Sequence, residues 1–237
     1  MEFILVALIV FFGIVTQSVI GFGIALISMP LLIRILVPVE AAAFLALLSL
    51  PLQIMILRRY RESLDLRPLW RVLVGTLIGI PIGILLIARL DPNVVLALLG
   101  VFLIAYSLYS LLNLHPPQIH RPVWGFGYGF FSGIFGGAYN TAGPPLVIYG
   151  TALGWTSQQF KANMQILFLI GNLMVIAVHI VSGHVDTRVM QNLLVSLPVL
   201  VLGTTIGFWL GRRVNEVMFR KLVLLALLLI GVRLLFP

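Results

Sequence analysis

Two short stretches of the chain place glycines, prolines and small polar side chains inside long apolar runs. The first reads GFGIALISMP (21–30) and the second GGAYNTAGPP (136–145). Glycine lets the chain reverse, and proline suits the first turn of a new helix. The first N–H groups of such a helix have no partner within it, and with its positive dipole end they favour an anion. The two stretches therefore predict a site for a small anion between two broken helices, one that needs no lysine.

The residues expected to line this site lie within or beside the two stretches. They are Gln17, Ser18, Gly21, Gly23, Ser28, Pro30, Gly136, Gly137, Asn140, Thr141, Gly143 and Pro144. When the stretches are aligned on their glycines and prolines, Asn140 and Thr141 fall opposite apolar residues. We therefore expect the second break to select the substrate and the first to shape the cavity, with Pro30 helping to start a short helix.

Composition restricts the chain to one broad class of protein. Of its 237 residues, 61% are hydrophobic and 9% are charged, far from the values of soluble domains. Apolar stretches near the roughly 20 residues that span a bilayer recur along the whole chain, and they do not alternate in polarity as barrel strands do. The expected fold is therefore an all-α polytopic membrane protein. The net charge of +8 lies at the ends of apolar segments, which indicates membrane orientation and no nucleic-acid partner.

Matching motifs divide the chain into two homologous halves. GIPIG (79–83) resembles GTTIG (203–207), and the two broken stretches occupy corresponding places. We predict a first transmembrane repeat at 1–114, a Pro-rich connector at 115–122 and a second transmembrane repeat at 123–237. Each repeat is expected to hold a broken or re-entrant helical hairpin followed by three transmembrane helices.

The positive charges predict that the two repeats are inverted. If each broken hairpin returns to the side it came from, eleven of the 15 Lys and Arg residues fall on one side, as the excess of positive charge on cytoplasmic loops predicts. The other four are Arg34, Arg89, Arg188 and Arg233. Three full spans per half, an odd number, make the halves inverted relative to each other. Whether residues 3–20 span fully is left open.

Other small and polar residues in the apolar segments are expected to hold helices together. Glycines spaced four apart, as at 125, 129, 133 and 137, are typical of close helix packing. Four amides are likewise expected to bond between helices and not to the substrate. They are Gln53, Asn163, Gln165 and Asn172.

The chemistry that the chain lacks narrows its function further. All seven carboxylates lie at the ends of predicted segments or in loops, which disfavours a cation pathway. No catalytic or nucleotide-binding motif is present, and there is no cysteine. We expect no enzyme activity, no cofactor and no metal. A secondary carrier for a small anion is the leading class, with a channel or carrier for another small anion or a neutral solute as the alternative.

At the two breaks the sequence resembles the sulfite exporter TauE/SafE family, also called the toluenesulfonate uptake permeases. The resemblance lies in GFGIALISMPLL and GIFGGAYNTAGPPLVIYG, one glycine-rich segment per half that ends in proline and aliphatic residues. It implies a multi-pass transporter of the bacterial or archaeal cytoplasmic (inner) membrane for small organosulfur compounds or sulfur oxyanions, such as sulfite or sulfonates. The implied partners are the small anion and the lipid bilayer, and a homo-oligomer is left open.

Overall fold

Helices form from the apolar segments throughout the structure, a computed structural model that describes residues 2–112, 114 and 121–235. They are α1 (Glu2–Ile20), α2 (Ile24–Leu32), α3 (Pro38–Tyr60), α4 (Leu69–Arg89), α5 (Pro92–Leu111), α6 (Trp124–Tyr139), α7 (Gly143–Ala152), α8 (Ser157–Val181), α9 (Thr187–Leu210) and α10 (Glu216–Leu235). These described residues contain no strand, so the predicted all-α class is confirmed. Most of the predicted connector, residues 115–120, lies outside the described part.

The lengths of the helices separate membrane spans from half-spans. Helices α1, α3, α4, α8 and α9 are long and apolar enough to cross a bilayer. Helices α2 and α7 have 9 and 10 residues, about 14–15 Å at the helical rise, against ~30 Å of hydrocarbon. Each short helix follows α1 or α6 after a turn, so the helices of both predicted hairpins are present. The whole chain is a multi-pass helical membrane protein.

Helix packing relates the first five helices to the last five. Helix α1 packs against α9 as α6 packs against α4, and α3 packs against α9 as α8 packs against α4. The pairs α3 with α8 and α5 with α10 join equivalent helices of the two halves. Exchanging α1–α5 for α6–α10 therefore leaves this set of pairs unchanged. The symmetry supports the predicted two repeats, while their inverted relation stays a prediction.

Glycines bring α4 and α6 into backbone contact along their length. A methyl group on any of six glycines would fall on a backbone carbonyl oxygen of the facing helix. The six are Gly75, Gly79 and Gly83 in α4 and Gly129, Gly133 and Gly137 in α6. The contacts advance in step along both helices, so α4 and α6 run in the same direction. The predicted close packing of the glycines spaced four apart is confirmed here.

Contacts between helix ends bring together basic residues that the charge count assigns to one side. The Arg34 guanidinium donates to the Arg233 carbonyl (3.3 Å), and Arg188 donates to the Ile35 carbonyl (3.4 Å) and lies 3.7 Å from Glu40. Three of the four basic residues assigned to one side therefore lie together. This grouping supports the predicted sidedness of the charges.

Candidate functional site

Each break is a short turn with a residue of positive φ directly after the first helix. Gly21 follows α1 with a φ of 89°, and Asn140 follows α6 with a φ of 54°. The N–H of each donates to the carbonyl four residues earlier, Gly21 to Gln17 at 2.8 Å and Asn140 to Gly136 at 2.9 Å. Glycine adopts this left-handed conformation freely, and asparagine tolerates it better than most residues do. Gly21 and Asn140 thus end equivalent helices.

This equivalence corrects the register of the sequence alignment by one helical turn. Gly21 corresponds to Asn140 and not to Gly136, and Gly23, which precedes α2, corresponds to Ala142, which precedes α7. In this register Gly21 and Gly23 face Asn140 and Ala142, so neither glycine matches a glycine, and an alignment that matches glycines selects the register one turn away. The structural counterpart of Asn140 and Thr141 is therefore the pair Gly21-Phe22.

The expectation that Pro30 starts a helix is wrong. Helix α2 begins at Ile24, and Pro30 is its seventh residue. The Gln17 side-chain oxygen accepts a hydrogen bond from the Ile24 N–H (3.2 Å) and so caps the helix six residues before the proline. Pro144, in contrast, lies in the first turn of α7, as expected.

Both short helices begin at one buried cavity, which is also lined by residues of α1, α3, α4, α6 and α8. We call it the central cavity. The volume of this cavity is about 40 Å³, whereas a single water molecule needs ~10–15 Å³. The central cavity therefore has room for a compact group of a few non-hydrogen atoms.

Half of the twelve predicted site residues line the central cavity. These are Gln17, Gly23, Gly136, Asn140, Thr141 and Gly143. The other half are outside its lining, and they are Ser18, Gly21, Ser28, Pro30, Gly137 and Pro144. A role in binding stays a prediction for the whole set.

Several residues outside the lining have structural contacts that account for them. The Ser18 hydroxyl donates to the Ile14 carbonyl (2.8 Å), and the Ser28 hydroxyl donates to the Ile9 carbonyl (3.4 Å). Gly137 packs against the backbone of Ile80. Such bonds from serine to a nearby carbonyl are the ordinary use of a hydroxyl within apolar helices.

Sequence reasoning missed four polar residues on α3, α4 and α8 that line the central cavity. They are Ser49, Gln53, Thr76 and Asn172. The Ser49 and Thr76 hydroxyls and the Asn172 Oδ1 are buried and have no hydrogen-bond partner among the described residues. Gln53 and Asn172 are each the sixteenth residue of their helix, α3 and α8, which are equivalent in the two halves. Searching both halves for amides at equivalent positions would have found this pair.

The amides divide between the cavity and the scaffold. The Asn172 amide donates to the Ala46 carbonyl (2.7 Å) and to the Gln53 oxygen (3.4 Å), and both side chains line the cavity. Asn163 accepts from the Asp65 N–H (3.0 Å), and Gln165 donates to the Gly21 carbonyl (2.6 Å). The structural interpretation is therefore confirmed for Asn163 and Gln165, whereas Gln53 and Asn172 also face the cavity.

Backbone groups and hydroxyls are the hydrogen-bond donors that the central cavity offers to an anion. No charged side chain lies in its lining among the described residues. Ala25 and Leu26 of α2 and Gly143 of α7 line it, and N–H groups in the first turn of a helix have no acceptor within the helix. The N–H groups at the start of α2 and at Gly143, with the free hydroxyls, can together donate several hydrogen bonds to a small anion, whereas Pro144 and Pro145 have no N–H to donate.

The backbone conformation at Asn140 predicts that two small substitutions there have different effects on stability. We expect Asn140→Gly to keep the stability of the protein within about 0.5 kcal/mol, and Asn140→Ala to lower it by about 1 kcal/mol, because alanine is strained at this φ. Thermal unfolding of both variants in detergent checks the difference. Equal losses would mean that the amide, and not the turn, carries the effect.

Comparison with known proteins gives one family and two curated relatives. The family described as "Sulfite exporter TauE/SafE" matches residues 5–234. The "Probable sulfite/organosulfonate exporter TauE" of Cupriavidus necator is 25% identical over 229 residues, which cover 93% of this chain and 89% of the relative. The "Probable inner membrane transporter protein TsaS" of Comamonas testosteroni is 25% identical over 172 residues, 71% of each chain. No solved structure matches the chain.

Proposed function

This chain belongs to the sulfite exporter TauE/SafE family of membrane transporters, and on that premise we propose that it carries a small sulfur oxyanion or organosulfonate as a secondary transporter. It is a multi-pass protein of the inner membrane. The substrate class follows the name of the C. necator relative, which gives sulfite and organosulfonates. In this proposal the anion crosses chemically unchanged and binds between the two hairpins, near the middle of the membrane.

Unpartnered polar atoms in the central cavity are the observation that carries this proposal. The Ser49 and Thr76 hydroxyls are buried without a hydrogen-bond partner among the described residues. A buried polar group left unpaired costs about 1–3 kcal/mol. Two such hydroxyls beside two helix starts favour a ligand rich in acceptor oxygens, which sulfite and sulfonates are.

The size of the central cavity favours a compact substrate. Its free volume of about 40 Å³ corresponds to a few waters. Sulfite or a small alkylsulfonate suits that volume, whereas an arenesulfonate requires the cavity to widen. We therefore propose sulfite or a similarly small anion as the preferred substrate.

Flux into proteoliposomes tests the proposed function. Purified protein is assayed with sulfite, thiosulfate, sulfoacetate and taurine, with and without a proton gradient. We expect saturable uptake of sulfite that is accelerated by unlabelled sulfite on the opposite side, as a carrier requires. Flux that neither saturates nor shows counterflow would instead identify a channel. Movement of an inorganic cation with none of the four compounds would overturn the anion assignment.

A further inference from the structure

A second cavity lies beside the central one, at the ends of helices where charged residues collect. We call it the vestibule. Its lining includes Trp155 before α8, Ser157 at the start of α8 and both Glu216 and Arg220 in the first turns of α10. Its volume is about 260 Å³, several times that of the central cavity. The vestibule is therefore large enough for a hydrated anion.

Phe22 is the one described residue that lines both cavities. Its side chain is buried, and its ring makes edge contacts with Tyr106 (6.5 Å between centroids) and with Phe160 (6.1 Å). The ring also lies over Gly143, where even a methyl group would come within 3.2 Å of it. Phe22 thus separates the vestibule from the start of α7 in the central cavity.

The backbone on both sides of Phe22 has the conformations that glycine permits. Gly21 has a φ of 89° and Gly23 a φ of 125°. Glycine tolerates changes of φ and ψ that other residues resist, so in this proposal the ring swings with its turn and the hydrogen bond from Gln165 to the Gly21 carbonyl breaks as it does so. The GFG motif is thus an aromatic ring between two hinges.

Arg220 supplies positive charge on the vestibule side of this ring. Its guanidinium lies 6.0 Å from the centre of the Phe22 ring and is half-buried. The carboxylate in the vestibule, Glu216, is already bonded to Lys161 and to the Ser157 hydroxyl (2.8 Å). No ion pair joins Arg220 to a carboxylate within the described ranges. Its guanidinium lies beside the Tyr106 hydroxyl, and its charge is not neutralised by a carboxylate there, so it can pair with an oxyanion.

We propose that Arg220 forms a second anion site, in the vestibule, and that the Phe22 ring is the gate between this site and the central cavity. The anion class is that of the proposed function, on which this inference rests. An oxyanion or sulfonate first pairs with the Arg220 guanidinium. It then passes to the helix starts of the central cavity when the ring moves aside.

Cysteine accessibility tests the gate without relying on transport. The chain contains no cysteine, so Thr141→Cys places a single thiol in the central cavity. The reagent is an anionic methanethiosulfonate that carries a sulfonate group. It is added to membranes on the side that the vestibule faces, and the rate of its reaction with the thiol is measured. We expect Phe22→Ala to raise this rate about tenfold, because removing the ring opens the path.

Phe168→Ala is the matched control, because Phe168 lines the central cavity and not the vestibule. We expect it to change the rate by less than about twofold. An equal rise in both variants, or none with Phe22→Ala, overturns the gate. If size-exclusion chromatography shows that Phe22→Ala is not folded, Phe22→Leu replaces it in the same test. We expect Phe22→Leu to raise the reaction rate by an intermediate amount.

The same thiol tests the charge of Arg220. We expect Arg220→Gln to slow the anionic reagent about tenfold, through loss of local attraction, and to leave a neutral methanethiosulfonate unaffected. Arg213→Gln is the control, since Arg213 is exposed and stacks on Trp209 (4.5 Å) outside both cavities. Equal slowing of the neutral reagent, or equal effects of both arginine variants, overturns the vestibule site. A wild-type protein that moves none of the sulfur compounds refutes the proposed function and leaves this accessibility result standing.

Discussion

Thr76→Val is expected to lower sulfite flux at subsaturating concentration by roughly 10- to 100-fold, because it removes one hydrogen bond to a charged ligand, and such a bond contributes about 1.5–3 kcal/mol. The Thr76 hydroxyl is buried in the central cavity and has no partner among the described residues. Valine keeps the shape of the side chain and removes only this donor. The protein itself should be as stable as the wild type or more stable, because an unpaired buried hydroxyl disappears. Flux into proteoliposomes and thermal unfolding in detergent measure the two effects.

Thr204→Val makes the same chemical change outside the cavity. The Thr204 hydroxyl is buried in α9 and donates to the Leu200 carbonyl at 2.7 Å. We expect this control to keep its flux and to lose a little stability, the reverse of Thr76→Val. If Thr76→Val keeps full flux, or loses flux only in proportion to folded protein, the hydroxyl does not bind the substrate.

Gly129→Ala is expected to destabilise the protein by about 1–3 kcal/mol or more through overpacking. A methyl group at Gly129 would fall on the Val72 carbonyl oxygen of α4, and a backbone carbonyl cannot move aside as a flexible side chain can. Helices α4 and α6 would have to separate along the interface that holds Thr76 of the central cavity in place. The yield of monodisperse protein and its unfolding temperature in detergent should both fall.

Gly127→Ala provides the control two residues away on the same helix. A methyl group there meets nothing within 4 Å, so only the intrinsic helix preference of alanine over glycine, about 1 kcal/mol, should act. We expect Gly127→Ala to be neutral or stabilising while Gly129→Ala is destabilising. Similar effects of the two substitutions would show that the glycines of α6 act through helix propensity and not through contact with α4.

The position of each helix was predictable because membrane helices depend on local properties. Continuous apolar length and interruption by glycine and proline can be read along the chain, and the observed helices form from the apolar segments. The same holds for close packing of glycines spaced four apart, because that spacing places them on one face of a helix. Family resemblance at the two breaks also agreed with the matched family.

Positions within the candidate site were predictable only where the chain itself turns. Asn140 and Thr141 line the cavity because they are part of a break. Ser18 and Ser28 are equally polar and nearly as close to the other break, yet their hydroxyls bond to carbonyls of α1. Which face of a helix a residue occupies relative to its neighbours depends on how the helices pack, and local sequence does not contain that information.

The membrane-spanning helical class, the two interrupted hairpins and the glycine-rich helix faces could be predicted from the chain, since each depends on residues near one another in it. The folded structure was needed to establish the register of the two breaks, with Gly21 equivalent to Asn140. It also brought Ser49, Thr76 and Asn172 from three helices to one cavity, and placed Phe22 between that cavity and Arg220. The last two relations join residues far apart in sequence, and they depend on which helices pack together, α8 with α3 and α4 at the cavity and α10 with α2 beside Phe22.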